Sequence, residues 1–291
     1  MIRLNRRIIK YSKMMNSNVY KDVLSVLKGK DKEIQLLIAN KTLHTEDSYK
    51  FKAVFENKKN KLGNKPGQCI KIYSKDVNGN NIGKYFTPIS DSNTEGYCEF
   101  IIKVYNKKSE NSKEGYFSSS LEQYEIGDYI SISGPYGNII YKGNDSFEFL
   151  NENITRKFEC ITFIAGGGAI IPFYQMITAI VNDQSSKCKI NVFCASRKEK
   201  TIILKNELNS LNLSDRMSLD FILSQDDDKG KYSKGYIDKQ YISKNFEPPK
   251  KEHFILFYGP PNMTKSIEAN LLELEYEKEN FCLFNSKYMD Q

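Results

Sequence analysis

Cys160-Ile161-Thr162-Phe163-Ile164-Ala165-Gly166-Gly167-Gly168-Ala169-Ile170-Ile171-Pro172 is the stretch on which the fold turns. An apolar run of strand length leads into three glycines, and an apolar helical pattern opens at Pro172. Three glycines let the backbone approach a pyrophosphate closely, and the helix N-terminus adds positive potential. A plain strand-to-helix connector needs fewer of them. Downstream, strand-like runs at 189–195, 218–223 and 253–258 alternate with helical patterns starting at Pro172, Thr201, Asp238 and Thr264. Such alternation predicts a parallel sheet with helices on both faces, which binds nucleotides at the carboxyl ends of its strands.

Upstream the pattern changes. Short apolar runs at 34–39, 49–55, 69–73, 97–105 and 129–133 are separated by turn signals such as Asn78-Gly79 and Gly127-Asp128. This predicts a small antiparallel barrel. The expected division is a basic N-terminal extension over 1–30, the barrel over 31–152 and the α/β domain over 153–291, with the border near 150–157. The fold class is therefore a two-domain β plus α/β chain.

Composition narrows the function. The chain has 291 residues, 40% of them hydrophobic, enough for two domains with sizeable cores. Cys69, Cys98, Cys160, Cys188, Cys194 and Cys282 are scattered without a CxxC pair, and His44 and His253 are the only histidines. No metal or iron-sulfur site is expected, and the thiols suit buried positions in a reducing compartment. The charge of +7 would speed encounter with an acidic protein partner, although Lys, Asn and Ser crowd solvated loops at 57–65 and 106–113. No motif favours nucleic acid. No run reaches the roughly 18 to 20 apolar residues of a spanning helix. The start carries Arg3, Arg6, Arg7, Lys10 and Lys13 around Leu4, Ile8 and Ile9. It reads as a mitochondrial presequence, a basic segment touching a membrane surface, or an extension with no address. Ile2 excludes myristoylation. A cytoplasmic or mitochondrial monomer, not secreted, is expected.

Four further motifs accompany the glycine loop. In Lys84-Tyr85-Phe86-Thr87-Pro88, the proline keeps Thr87 extended, so alternate side chains can face a flat ligand while a cation reaches its diphosphate. The run at 97–105 sets Ile101, Lys103 and Tyr105 on one side. Gly115-Tyr116-Phe117-Ser118 precedes a short helical segment expected over 119–124, with backbone N–H groups and the Ser118 hydroxyl aimed at an anion or simply capping the helix. Gly134-Pro135-Tyr136-Gly137 reads as a turn closing the barrel. Tyr258-Gly259-Pro260-Pro261-Asn262-Met263 follows an apolar strand; its prolines stiffen the backbone and Gly259 allows close approach.

In this order and spacing the motifs resemble those of the ferredoxin-reductase-like flavoproteins, and the match to the NADH-cytochrome b5 reductase family runs from about residue 34 to 284. The resemblance implies an FAD-binding barrel and an NAD(P)-binding Rossmann-like domain. Thr87 would lie beside the redox end of the isoalloxazine, the ring at 86 against the flavin, with Tyr85 in the same run, and Lys84 on the pyrophosphate. Ile101 and Lys103 would stand near the nucleotides, and Tyr116, Phe117 and Ser118 at the diphosphate. Gly166, Gly167, Gly168 and Pro172 would hold NAD(P)H; Tyr258, Gly259, Pro260, Pro261 and Met263 would floor the nicotinamide. Thr87 and Lys103 are the candidate catalytic residues, Thr87 tuning flavin N5 and Lys103 binding charge. The implied activity is hydride transfer from NADH or NADPH to FAD, then single-electron release to a haem protein such as cytochrome b5.

The chain departs from the family pattern in places. Lys84 stands for arginine and Phe86 for tyrosine, exchanging a bidentate fork for a point charge and losing a hydroxyl, so weaker FAD retention is expected. Gly168 replaces threonine, Ala169 glycine and Tyr258 cysteine. Arg197 and Lys198 follow the strand at 189–195, where an adenosine 2′-phosphate would lie, and Lys231 occupies the place of the acid found in NADH-selective members, before Gly235-Tyr236-Ile237. NADH and NADPH both stay open. Two alternatives stand beside the reductase: a degenerate domain serving as a binding module, and an active flavin reductase with another acceptor.

Overall fold

The computed structural model describes residues 24–75, 78–105, 116–212, 215–225 and 230–284. The basic start of the chain, Gly115 and the side chain of Tyr116 lie outside the described residues. Two compact units divide between Tyr136 and Gly137.

The first unit is a six-stranded antiparallel sheet. Its strands are β1 (Gly29–Thr45), β2 (Ser48–Val54), β3 (Cys69–Lys75), β4 (Asn81–Phe86), β5 (Tyr97–Lys103) and β6 (Tyr129–Tyr136), in the order β4-β3-β6-β1-β2-β5. The two outer strands meet, because Pro88 bridges Phe100 and the Ile89 N–H donates to the Glu99 carbonyl at 2.8 Å. That contact closes the sheet into the expected barrel and leaves the edge strands without a long free flank. Alternation fills the interior: Cys98, Phe100 and Ile102 of β5 point into the core, where Phe100 stacks on Phe51 with ring centroids 5.6 Å apart. Helix α1 (Tyr116–Glu122) lays Phe117 and Leu121, one turn apart, on the same core. The helix thus begins at Tyr116 and not beyond Ser118, since both apolar residues gain burial only if 116–118 form its first turn.

Gly134-Pro135-Tyr136 differs from its reading as a turn. It is the end of β6, with Gly134 paired to Gly29 and Tyr136 to Cys69.

The second unit opens with a three-stranded antiparallel sheet, β7 (Ile139–Gly143), β8 (Ser146–Phe149) and β9 (Ile154–Lys157). No periodicity long enough to announce it exists in such short strands. Phe147, Phe149, Phe158 and Phe254 pack together there, Phe158 stacking on Phe254 at 4.7 Å. The principal sheet comprises β10 (Cys160–Gly166), β11 (Lys189–Ser196), β12 (Met217–Leu223), β13 (Ser233–Lys234), β14 (His253–Tyr258) and β15 (Phe281–Leu283). All its pairings are parallel, in the order β13-β12-β11-β10-β14-β15. Residues 160–165 are buried throughout, as a strand covered on both faces requires. Helices α2 (Ile170–Asn182), α3 (Lys205–Leu211), α4 (Lys239–Asn245) and α5 (Pro261–Glu273) connect the strands. Asp238 caps α4 by accepting the Tyr241 N–H at 2.8 Å. Thr201 ends a 3₁₀ turn over Glu199–Thr201, four residues before the helix expected to start there. Among the described residues, no helix is long and apolar enough to cross a membrane. All six cysteines are buried and none forms a disulfide, and burial pushes the Cys98 pKa up to about 12.

Candidate functional site

In the first unit, strand alternation divides the candidate residues between two faces of β4. On one face the Lys84 ammonium lies 5.4 Å from the Phe117 ring centroid, and Phe86 stacks on the same ring at 6.0 Å and 20°. On the other, Tyr85 meets Tyr136 edge-on at 5.1 Å, with the Lys71 ammonium 5.3 Å from the Tyr85 centroid. The Tyr85 hydroxyl is sealed from solvent with no hydrogen-bond partner. A buried hydroxyl left unmade is costly, so this strand carries a polar demand that an acceptor on a bound cofactor would satisfy. Lys84 is exposed and supplies the cation that a diphosphate needs. The residues present therefore fit FAD. Thr87 is 6% exposed, just past the end of β4, where Pro88 turns the chain onto Phe100.

Two candidates are held by other protein groups. Lys103 forms an ion pair with Asp47 at 2.8 Å, and Asp47 also takes the Thr45 hydroxyl. Ser118 accepts the Tyr105 N–H at 3.1 Å, tying the end of β5 to α1. Ile101 is 1% exposed, on the face opposite Phe100. Lys103 and Ser118 thus already shape the protein around them. Lys71, Tyr136 and Asp47 were invisible as site neighbours in the sequence: Lys71 meets Tyr85 only through the β3–β4 register, and Tyr136 and Asp47 come to Tyr85 and Lys103 from segments distant in the chain.

The second unit presents a bare backbone floor. The strand order reverses about β10, whose neighbours are β11 on one side and β14 on the other; ligands of open α/β sheets settle at the carboxyl ends beside such a reversal. There Gly166 ends β10 and Gly259 follows β14. A β-carbon on Gly166 would stand 2.6 Å from Pro260 Cδ and 2.7 Å from Met263 Sδ. One on Gly259 would stand 3.2 Å from Gly166 Cα. Gly166, Gly259, Pro260 and Met263 are therefore one packed group. Gly167 begins a 3₁₀ turn (Gly167–Ala169) that runs into α2, with φ of 58° and open space where a side chain would project. No side chain caps this start, so its N–H groups are available to an anion. Gly168 lies inside the turn, and Pro172 is buried in the first turn of α2, two residues after its start at Ile170. Pro261 opens α5, a position where its missing N–H costs nothing. The backbone fits a pyridine nucleotide. Tyr258 closes β14 half-buried.

Arg197 and Lys198 are exposed just beyond β11. Next to them Glu199 accepts from Lys231 at 3.0 Å, from Tyr232 at 2.6 Å and from Lys205. Lys205 foremost, with Tyr232 and Lys231, holds the Glu199 carboxyl down to about 2. Glu199, Lys205 and Tyr232 were missed in the sequence, where no short motif links them.

An antiparallel barrel followed by a parallel sheet with a glycine-floored switch point defines a flavin- and pyridine-nucleotide-dependent oxidoreductase. Two family models match accordingly: an oxidoreductase FAD-binding domain over residues 35–141 and an oxidoreductase NAD-binding domain over residues 163–269. NADH-cytochrome b5 reductase 2 of Danio rerio is 32% identical over 247 residues, covering 82% of this chain and 80% of the relative. The Gallus gallus protein of the same name is 33% identical over 245 residues, covering 81% and 80%. Among solved structures, the cytochrome b5 reductase domain of Ulva prolifera nitrate reductase superposes with a TM-score of 0.80 at 25% identity, covering 88% of this chain and 98% of that one. The chain belongs to the NADH-cytochrome b5 reductase family. It is a flavoprotein oxidoreductase whose cofactors are FAD and a pyridine nucleotide.

Proposed function

We propose that this chain takes reducing equivalents from NAD(P)H and delivers them one at a time to a haem protein of cytochrome b5 type. The observation that carries the reading is the side-chain-free floor at Gly166 and Gly259, set beside the uncapped N–H groups of 167–169 at the switch point of the sheet. A flat ring needs the first and a diphosphate the second. The names of the relatives support the acceptor.

Bound FAD supplies the chemistry that joins a two-electron donor to a one-electron acceptor. The protein's residues do the rest by binding and orientation. Lys84 neutralises the FAD diphosphate, assisted by the first turn of α1 at Tyr116, Phe117 and Ser118. Phe86 supplies ring contact, Tyr85 a hydroxyl, and Thr87 a hydroxyl at the redox end of the flavin. Ile101 walls the nucleotide, and Lys103, fixed by Asp47, sets the local charge. Gly166, Gly167, Gly168 and Pro172 receive the NAD(P)H pyrophosphate, and Tyr258, Gly259, Pro260, Pro261 and Met263 the nicotinamide. Arg197 and Lys198 face its adenosine end. The domain assignment proposed is FAD binding over 31–152 and pyridine-nucleotide binding over 153–291.

The test is an absorbance spectrum of purified, FAD-reconstituted protein before and after anaerobic addition of NADH or NADPH, followed by oxidised cytochrome b5. Bleaching followed by haem reduction supports the reading. Bleaching without haem reduction assigns another acceptor, and FAD bound without bleaching, or not bound, makes the chain a binding module.

A further inference from the structure

The glycine floor of the second unit holds a sulfur atom. Met263 Sδ lies 2.7 Å from where a β-carbon on Gly166 would stand and 3.1 Å from where one on Gly259 would stand, so it fills the hollow that the two missing side chains leave. The backbone beneath it has little freedom. Pro260 and Pro261 stiffen the entry to α5, the Thr264 N–H donates to the Pro260 carbonyl at 3.0 Å, and the Thr264 hydroxyl donates to the Pro261 carbonyl at 3.1 Å. Met263 is thus fixed at its α-carbon, and only its thioether arm can adjust. Among the described residues this sulfur is also the one open to solution. All six cysteines are buried, and burial pushes the thiols of Cys160 and Cys98 up to about 11 and about 12, which withholds the thiolate that oxidants attack. Of the methionines, Met176 is 0% and Met217 7% exposed, whereas Met263 is only partly buried against the core beneath α4 and α5.

We propose that Met263 is an oxidation site, and that its sulfoxide closes the floor to the nicotinamide, so that entry of the donor responds to hydrogen peroxide. The inference rests on the reading of the second unit as the NAD(P)H site. Sδ attacks one peroxide oxygen; the S–O bond forms as the O–O bond breaks, and the departing hydroxide takes the proton of the transferred oxygen and leaves as water. Sulfur loses two electrons and the peroxide gains them. Dioxygen becomes hydrogen peroxide on taking two electrons and two protons from a reduced flavin, so the oxidant belongs to the ordinary chemistry of this class. The added oxygen has two directions open to it, and both work against the donor. Toward Gly166 and Gly259 it meets backbone already in contact and forces the pair apart. Away from them it stands over the floor, where a polar oxygen replaces a soft, apolar sulfur beneath a flat ring. Methionine sulfoxide reductases reverse the change, which makes it a switch and not damage.

The test adds hydrogen peroxide to the FAD-reconstituted protein and follows, by peptide mass mapping, the gain of one oxygen at each methionine. Alongside it, kcat/KM is measured for NADH and NADPH, and calorimetry measures binding of ADP-ribose and 2′-phospho-ADP-ribose, which carry no nicotinamide. Oxidation of Met263 is expected to outpace that of Met176 and Met217, to lower kcat/KM for the donor by about tenfold or more, and to leave binding of the nicotinamide-free fragment unchanged. Methionine sulfoxide reductases should then restore kcat/KM. Met263→Leu keeps every other methionine and every cysteine; whatever kcat/KM it starts from, peroxide is expected to leave that value where it was. A parent kcat/KM unmoved by complete oxidation of Met263, or a fall as large in Met263→Leu, overturns the switch while the nucleotide site stands. If neither fragment binds the untreated protein, the nucleotide site and the switch fall together.

Discussion

Gly259 and Gly166 face each other across the carboxyl ends of two adjacent parallel strands, so closely that a β-carbon on Gly259 would lie 3.2 Å from both the Gly166 α-carbon and nitrogen. The closeness comes from absent side chains and not from an unusual backbone, because Gly166 has an ordinary extended conformation with φ of −103°. Gly166→Ala is thus a purely steric test. Its methyl must displace the Pro260 ring edge and the Met263 sulfur, and overpacking of this kind costs about 1–3 kcal/mol. Thermal unfolding should register that loss, and steady-state kinetics should show a raised KM for the nicotinamide donor as the floor shifts. Gly167→Ala should lower stability by about 1 kcal/mol for a different reason, its positive φ in open space. An unaltered KM in Gly166→Ala would remove this pair from the nucleotide site.

Much of this geometry was legible in the chain. The run from Cys160 to Pro172 announces strand, glycine loop and helix because each has its own grammar: continuous apolarity, missing side chains, then helical periodicity. The strands of the barrel were readable where buried residues such as Cys98 and Phe100 alternate with the wetter Tyr97 and Glu99. What escaped depends on partners far apart in sequence. Closure at Pro88 and Phe100, the pairing of Lys103 with Asp47 and the gathering of Lys205, Lys231 and Tyr232 on Glu199 have no local signature. Short elements escaped too. The first turn of α1 is fixed by burying Phe117, a tertiary gain that local helix signals do not encode.

Lys84 and Phe86 both gather on Phe117, so the FAD motif retains its shape with weaker chemistry. Replacing Lys84 by Ala should raise the FAD Kd by about tenfold or more, since a charge-assisted hydrogen bond contributes about 1.5–3 kcal/mol. Lys84→Arg should instead tighten binding by restoring a fork, and Phe86→Tyr should tighten it further if the hydroxyl finds the ribityl chain. Flavin fluorescence during equilibrium dialysis measures all three. Equal retention in Lys84→Ala and the parent would deny Lys84 its phosphate.

Ser118 joins the end of β5 to α1 through the Tyr105 N–H, and it is 8% exposed. Ser118→Ala leaves that donor without this acceptor, at a cost of about 1–3 kcal/mol. If the serine also touches the diphosphate, FAD affinity should fall more than stability measured in the FAD-free protein. Stability lost with FAD affinity unchanged would make Ser118 a structural tie alone.

His253 sits at the opposite end of the parallel sheet from the glycine pair, in a file of polar side chains that crosses four strands. Ser218 donates to Asn191 at 2.7 Å, Asn191 to Thr162 at 3.4 Å, and Thr162 meets His253 Nε2 at 2.8 Å. The imidazole is 1% exposed and its Nδ1 is buried without a partner. Burial lowers its pKa from 6.5 to about 4, with Lys250 adding to the effect and Glu247 opposing it. Above pH 6.5 the ring is neutral in folded and unfolded chains alike. Between 6.5 and about 4 the unfolded chain takes up a proton that the folded one refuses, so stability falls as pH falls through that window. The loss amounts to roughly 3 kcal/mol at most. Urea unfolding at pH 7 and at pH 4.5 measures it. His253→Gln can keep a bond to Thr162 while removing the titration, and should unfold with a smaller difference between the two pH values. A variant as acid-sensitive as the parent would place the titrating group elsewhere.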